Sequence, residues 1–571
     1  MSIRIQDFQG MQYPREGTAA EELDYAYFNE QYATSTYQEE RNMFPDLIVH
    51  PKNDEDVIRA VNWAKDHNIS VAVRSGGHQY SGASSTGGKN IQIDLANTYQ
   101  DLMVLNPKDP IAQDRALVYV GVSTSMKDLN AYLRHNQLFV PTGICAYVCV
   151  GGHGQTGGYG QLGRSFGLYG DNIRTIRLID FDGKLKDVTK ANDPELFYAI
   201  LGGSPGNFGI VTHYIVEVFQ ANSYLGTVAG PNGFKGPHGI KGLWVYSSKI
   251  FKTLLNNIAQ MADDGTAARN YDLCVNVLST DFPITMLFPD LKDAGLWERV
   301  QGKIKNHLAD EFIEWLNGSF PAVVVVYAQW CPINPNDKYD KTVDDWFNKF
   351  RDLKKDPKNG TLLITEFEEP MSKMTGEWIF PKEREFDLPY VKRTYATASR
   401  TLQKDKWVDS LASRIDLIFN PDQLLKGNPG EKNYEVFLSC KLSVQIQCFG
   451  GQDSQFYNNR NNGTAYSWRD STVVKTLDCF HKPDEQSRTY AKVWQAKNDS
   501  ILVGPTGTFS KQDRRVLWGS YGDWDLGKPE IWKCYYEDEE KYQRLGRARG
   551  KADPKGTFTA NPFAVRAIPE N

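Results

Sequence analysis

From Leu47 onward the apolar positions fall into two clear periods, whereas residues 1 to about 40 are polar and predict a segment that wraps the surface. Leu47–Val49 reads as a short strand. Val57, Ala60, Val61 and Ala64 share one face of a helix that Asn53 can cap. Ser70–Val73 is a second strand and delivers a turn at Arg74–His78. Alternation predicts further strands at Ile91, Ile93 and Leu95 and over 116–122. Met126–His135 reads as a helix with Leu129, Tyr132 and Leu133 on its apolar side. Residues 173–189 read as a hairpin turning at Asp182-Gly183. Asp193-Pro194 opens a helix with proline at its first position. A glycine-rich turn at 201–209 then feeds an alternating strand that runs to Phe219.

The pattern changes near residue 222. Helices over Lys249–Asp264, Thr342–Leu353 and Tyr395–Ile418 interleave with strands over Leu273–Leu278, Ala322–Gln329 and Tyr434–Cys448. This order predicts helices packed on one face of a largely antiparallel sheet. A chain of 571 residues calls for more than one core. We divide it into a first domain at 1–225, a second at 226–500, and a segment at 501–571 that returns to the first.

Composition narrows the function. With 40% hydrophobic and 24% charged residues, disorder is excluded. A net charge of −5 without any Lys/Arg block offers nothing to nucleic acid or to an anionic membrane. The longest apolar run, PAVVVVYA at 321–328, is far too short to span a bilayer. No signal-peptide pattern opens the chain, so a cytoplasmic protein is expected, or a secreted one if the N-terminus has been trimmed. Eight cysteines without a C-x-x-C pair predict neither a disulfide framework nor a zinc site, and no metal is expected.

Chemistry concentrates at 141–172, PTGICAYVCVGGHGQTGGYGQLGRSFGLYGDN. Glycine at this density brings backbone close to a neighbour, or turns it where a Cβ would clash. Bare N–H groups in such a run suit an anionic ligand such as a pyrophosphate. Val148, Val150, Tyr159, Leu162 and Phe166 are interspersed, which a flexible linker would not carry. A second Gly-Gly-His tripeptide stands at Gly76–His78.

Two motifs carry a resemblance. The first is Arg74, Ser75, Gly76, Gly77, His78 and Tyr80. The second is Gly143, Cys145, Val148, Gly151, Gly152, His153, Gly157, Gly158 and Gly160. Together they resemble the two flavin-gripping segments of the berberine-bridge-enzyme-like branch of the vanillyl-alcohol oxidase superfamily. Residues 201–212 resemble its third flavin contact; Ser204 and Pro205 depart from the all-glycine form, while Gly206, Phe208, Gly209 and Thr212 keep its frame. Residues 516–527 and 535–565 resemble its closing segments. The likeness covers most of the chain and is weakest between about 226 and 430. It implies an α+β fold: a two-subdomain PCMH-type FAD-binding domain with its core at about 42–220, plus a substrate domain with an antiparallel sheet backed by helices.

The resemblance also implies FAD attached twice, by His78 at the 8α-methyl and by Cys145 at C6. Imidazole and thiolate are both competent nucleophiles. Arg74, Ser75, Gly76, Gly77, Tyr80, Gly143, Val148, Gly151, Gly152, Gly157, Gly158, Tyr159, Gly209, Ile210 and Val211 would complete the cofactor site, with His153 near the ribityl and N1 edge. A small valine at Val148 is tied in relatives to oxygen access, which favours an oxidase. Tyr521 matches the tyrosine that serves as catalytic base in several members; an unperturbed phenol titrates near ~10, so it needs a helper. Gln445 and Gln447, with Ser443, share one strand face that floors the active site, and two amides suit a hydroxyl-rich substrate. The implied activity is an FAD-dependent oxidase. It moves a hydride from a hydroxyl-bearing carbon of a small molecule to flavin N5, and reoxidation by dioxygen gives hydrogen peroxide. The substrate is a sugar or oligosaccharide, or a secondary-metabolite alcohol. A dehydrogenase with another acceptor, an oxidative cyclase and a non-redox use of the fold are the alternatives.

Overall fold

In the computed structural model the described residues are 3–29, 43–79, 84–85, 90–106, 111–263, 267–279, 322–379, 389–398, 406–418, 424, 440–451, 453–502, 507, 512–519 and 525–569. Their strands form three sheets. β1 (Met11–Pro14), β2 (Leu47–His50), β3 (Ser70–Arg74) and β4 (Asn90–Asp94) make the first, in the order β1-β2-β4-β3. β4 runs parallel to β2 and β3, and β1 antiparallel to β2. The helix Asp54–Asp66 covers this sheet with Val57, Ala60, Val61 and Ala64, all removed from solvent. Burial of each valine contributes about 1.5–3 kcal/mol. Asn53 caps the helix, its side chain accepting the Asp56 N–H at 3.1 Å.

The N-terminal residues do more than wrap the surface. β1 adds an edge strand, where Pro14 is tolerated. The buried Asp56 carboxylate accepts the N–H groups of Gln9 and Gly10 at 2.8 and 2.9 Å.

The second sheet holds β5 (Leu102–Leu105), β6 (Arg115–Gly121), β7 (Leu138–Phe139), β8 (Ile173–Ile179), β9 (Leu185–Thr189) and β10 (Ile210–Gln220). Its order is β5-β6-β10-β8-β9, with β7 also on β10, and every pairing is antiparallel. The β8–β9 hairpin turns at Asp182-Gly183, as its sequence predicts, with Gly183 at φ 73°.

The third sheet is antiparallel throughout. β11 (His238–Val245), β12 (Tyr271–Leu278), β13 (Val323–Trp330), β14 (Thr361–Glu368), β15 (Tyr390–Ala398), β16 (Lys441–Cys448) and β17 (Ser471–Phe480) follow the order β14-β11-β13-β12-β16-β17-β15. The helices Ser248–Asp263, Lys341–Arg351, Trp407–Ile418 and Glu485–Leu502 share one core with it. One expectation fails here. Tyr395–Ala398 belong to β15, and the helix begins only at Trp407. Val391, Thr394, Tyr395 and Thr397 are β-branched or aromatic, and pairing along β17 suits them better than a helix does. Residues 434–439 of the expected strand lie outside the described residues.

The C-terminal residues return to the first core, where Leu545, Phe558 and Phe563 are buried. The Val71 N–H donates to the Thr557 carbonyl at 2.7 Å, and the Asn561 amide to the Ser85 carbonyl at 3.0 Å. Arg164 ties the glycine-rich segment to the third sheet. Fully buried, it donates to the carbonyls of Ala267, Gly450, Ala268 (2.7 Å) and Tyr271 (2.6 Å). Among the described residues no helix is long and apolar enough to cross a membrane.

Candidate functional site

A cavity of about 1260 Å³, counted to its mouth, is lined from all three sheets and from the C-terminal segment. β3 leads straight into its first wall, Ser75–Gln79. Gly77 takes φ 69°, which turns the chain there. A Cβ on Gly76 would lie 2.9 Å from Cys149 Sγ, so only glycine lets the two segments meet. The second Gly-Gly-His tripeptide, inside the short helix Val150–Gln155, abuts the first: a Cβ on Gly151 would lie 3.3 Å from Ser75 Oγ. Ser75, Gly76, Gly77, His78, Gly143, Cys145, Val148, Gly151, Gly152, His153, Tyr159, Gly209, Val211, Gln445 and Gln447 all line this one space.

The glycines serve different ends. The Gly151 N–H was expected to face an anion; it donates to the Val122 carbonyl at 2.9 Å instead. Glycine is needed there because a Cβ would sit 2.8 Å from Val122 Cβ. Gly152 is the opposite case: a Cβ would meet nothing within 4 Å, so bare backbone borders the cavity. Gly206, at φ 77°, holds its N–H on the Gln155 side-chain oxygen at 2.9 Å.

The titratable groups are tuned mainly by burial. His153 Nε2 accepts the Gly143 N–H at 3.0 Å, which leaves the ring proton on Nδ1. Burial pulls its pKa down to about 4, so the imidazole is neutral near pH 7. Cys145 is exposed to the cavity. Enclosure by the surrounding protein pushes its thiol pKa up; the Lys392 ammonium draws it down and Asp478 adds to the rise. Burial likewise holds the Tyr159 phenol above its ordinary range. Its ring packs 5.5 Å from that of Phe449.

Some expected residues stand elsewhere. Arg74 is buried against Asp94, donating through Nε at 3.0 Å and Nη2 at 2.5 Å, and to the Phe28 carbonyl at 2.6 Å. It braces the first sheet and does not line the cavity. Gly157 and Gly158 take φ 114° and 76° and fold the chain back, their carbonyls accepting the N–H groups of Gly170 and Tyr169. Ile210 is a core residue of β10. Tyr80 and Tyr521 lie outside the described residues.

Other residues were not foreseen. Lys392 on β15 and Asp478 on β17 are cross-strand partners, buried, with Nζ 2.9 and 2.8 Å from the two carboxylate oxygens. The same register sets Asp478 opposite Ser443, so the pair shares the sheet face of Gln445 and Gln447. The Lys392 ammonium lies 5.3 Å from the ring centre of Trp518, which lines the cavity. Burial holds the Asp478 carboxyl above its usual range even with Lys392 beside it. Reading 395–418 as a helix left residue 392 without a strand and hid the pair. Gln79, also in the wall, donates to the Leu517 carbonyl at 3.2 Å and so joins the first turn to the C-terminal segment.

The site fits a flavin dinucleotide. Gly152 leaves a margin of bare backbone, and two nucleophilic side chains, His78 and Cys145, line the same space. The Gln445 amide nitrogen is buried, within hydrogen-bonding reach of the Cys274 thiol. No group of His, Cys, Asp and Glu side chains able to hold a metal ion occurs among the described residues.

Comparison with known proteins gives the same direction. Residues 45–189 match the family model described as FAD binding domain. The chain is 32% identical over 190 residues to berberine bridge enzyme-like 19 of Arabidopsis thaliana, a match covering 32% of each protein. The matched stretch thus spans about a third of that relative's length. Among solved structures, berberine bridge enzyme in complex with (S)-reticuline superimposes with a TM-score of 0.66 at 15% identity, over 99% of this chain and 97% of that one. A glucooligosaccharide oxidase from Acremonium strictum, with 6-S-cysteinyl, 8α-N1-histidyl FAD, gives 0.61 at 14% identity, over 96% and 99%. At these identities the structures share the fold.

Proposed function

We propose that this chain, which has the FAD-binding domain and the fold of the berberine-bridge-enzyme-like proteins, is an FAD-dependent oxidase of hydroxyl-bearing small molecules with dioxygen as electron acceptor. One observation carries the reading: His78 and Cys145, from two separate glycine-rich segments, line the same cavity as the amides of Gln445 and Gln447. FAD, when bound, supplies the hydride acceptor and an electrophilic ring edge. His78 and Cys145 each provide a nucleophile to hold it. His153, with Nε2 engaged by Gly143, has its Nδ1–H left to donate. Gln447 offers two donors and an acceptor to substrate hydroxyls, and Gln445, whose nitrogen is buried, offers its acceptor. That inventory favours a sugar or oligosaccharide over an aromatic alcohol. The Lys392–Asp478 pair fixes the charge beside Cys145 and Trp518. Val148 keeps one part of the wall small, which suits entry of dioxygen. The substrate hydroxyl proton is assigned to Tyr521, three positions after Trp518 in the chain.

Acid precipitation tests the attachment. The yellow colour stays with the protein, and the intact mass exceeds that of the bare chain by one FAD. His78→Ala and Cys145→Ser each leave a single bond, and the double variant releases all flavin into the supernatant. A mass equal to the bare chain after expression with ample riboflavin overturns the assignment. For the acceptor, enzyme reduced anaerobically by an oligosaccharide is mixed with air. Reoxidation at least as fast as turnover supports an oxidase, and slower reoxidation makes the protein a dehydrogenase.

A further inference from the structure

Behind Gln445 the third sheet holds a buried polar cluster that the proposed chemistry leaves unused. Cys274 and Asn276 are two positions apart on β12 and so share one face. Asn276 stands opposite Gln445 of β16 on one side and Val325 of β13 on the other, and Cys274 stands opposite Gln447. Both are buried, as is Gln161 from the glycine-rich segment. The Cys274 sulfur lies within hydrogen-bonding reach of Gln161, Asn276 and Gln445. Burial pushes its pKa up to about 12, so the thiol keeps its proton near pH 7.

The direction of these bonds is fixed at the far end of the cluster. A backbone carbonyl only accepts, so the 3.2 Å contact from Asn276 Nδ2 to the Val325 carbonyl sets which way the Asn276 amide points. Its Oδ1 then faces Cys274 Sγ at 3.5 Å and accepts the S–H. With that proton committed, the sulfur has only lone pairs to offer Gln445, and these suit the buried Nε2. Gln445 also lines the flavin cavity, so its Oε1 is the polar atom left to that side.

We propose that Cys274 and Asn276 are positioning residues: they hold the Gln445 amide with its oxygen toward the cavity, so this point of the wall takes a hydroxyl or N–H that donates and rejects an ether or carbonyl oxygen. The orientation stands on the geometry of the cluster; that the donor belongs to a saccharide rests on the proposed function.

The test reads orientation and selectivity separately, on the flavin-loaded holoprotein. Glutamine side chains are isotope-labelled and followed by NMR, and the Gln445 signal is the one lost in Gln445→Leu. In the parent its amide protons exchange with water at least about tenfold more slowly than those of free glutamine. Cys274→Val can neither give nor take a hydrogen bond; it frees the amide and speeds exchange by about tenfold or more. Cys274→Ser keeps both capacities and restores slow exchange. Binding of cellobiose and of its per-O-methyl ether is then measured by ligand-observed NMR on anaerobic, dithionite-reduced protein, where no turnover intrudes. The ratio of the two affinities falls about tenfold in Cys274→Val, the loss expected for one hydrogen bond, and returns in Cys274→Ser. Should Cys274→Val fold poorly, Asn276→Leu serves in both measurements. Fast exchange in the parent, or exchange unmoved in both variants, overturns the orientation. Equal or absent binding of the two sugars in the parent overturns the selectivity, as does a ratio that stays constant while exchange rises. A protein purified without flavin contradicts the proposed function and not this inference, which the exchange rates decide by themselves.

Discussion

The flavin cavity has two walls made by different means. One is main chain: the glycines at 76–77, 143, 151–152 and 206–209, the pair at 151–152 in a short helix, strip away side chains so that backbone comes close. The other is side chain: Gln445 and Gln447 project from β16, flanked on the same sheet face by the Lys392–Asp478 pair. A wall of backbone is unforgiving, because any added atom meets either a neighbour or the ligand. A wall of side chains can be rewritten on an unchanged strand. On the proposed function, holding the cofactor and choosing the substrate are therefore separable tasks.

Four substitutions probe that separation, the complete loss of flavin first. Gly152→Val places its side chain in open space, so the apoprotein melts like the parent while the flavin-to-protein ratio falls to near zero. Gly151→Val instead collides with Val122 and lowers stability itself, by about 1–3 kcal/mol in a denaturant titration. Equal melting of the two variants would dissolve the distinction between open and packed glycines. Next, Lys392→Met strands the buried Asp478 carboxylate and costs about 3–5 kcal/mol. Replacing both partners by apolar residues recovers most of that loss in the same titration. Third, Gln445→Leu leaves flavin content untouched and lowers kcat/KM for the best oligosaccharide by about 10- to 100-fold. A parallel loss of flavin would show that the two walls are not independent.

The smallest effect is a pH slope. His153 has its pKa depressed in the folded state, to about 4. Its contribution to stability is therefore complete above the unfolded value of about 6.5 and fades as pH falls toward 4, because the unfolded chain binds the proton first. His153→Gln keeps an acceptor for the Gly143 N–H and removes this term. The acid limb of its stability profile between those pH values is shallower than the parent's by up to about 1.4 kcal/mol per pH unit. An unchanged limb would mean that other groups govern the acid response.

The legibility of the chain follows the same division. The residues expected to touch flavin cluster within short stretches, since backbone that must come close needs its glycines side by side; Gly76–His78 and Gly151–His153 could be found by eye. Asn53, Asp182-Gly183 and Asp193-Pro194 were equally local signals, and each marks the boundary they predict. Gln445 and Gln447 were placed because alternation survives within one strand. Lys392 and Asp478 meet only through the pairing of β15 with β17, across some eighty positions of chain, and no local pattern records that register. The Arg74 pairing escaped notice for a related reason. It sits inside a cofactor motif, yet its guanidinium turns to Asp94 on the neighbouring strand.

Arg164 gives the fold a mechanical property. Its donors reach carbonyls at 267, 268, 271 and 450, so a guanidinium from the glycine-rich segment is solvated by the start of β12, the residues that lead into it and the residues that follow β16. Neither body can melt alone without baring that cation or emptying its socket. A fragment cut near residue 225 would carry the rivet without its plate, and heating the whole chain should show one transition in place of two.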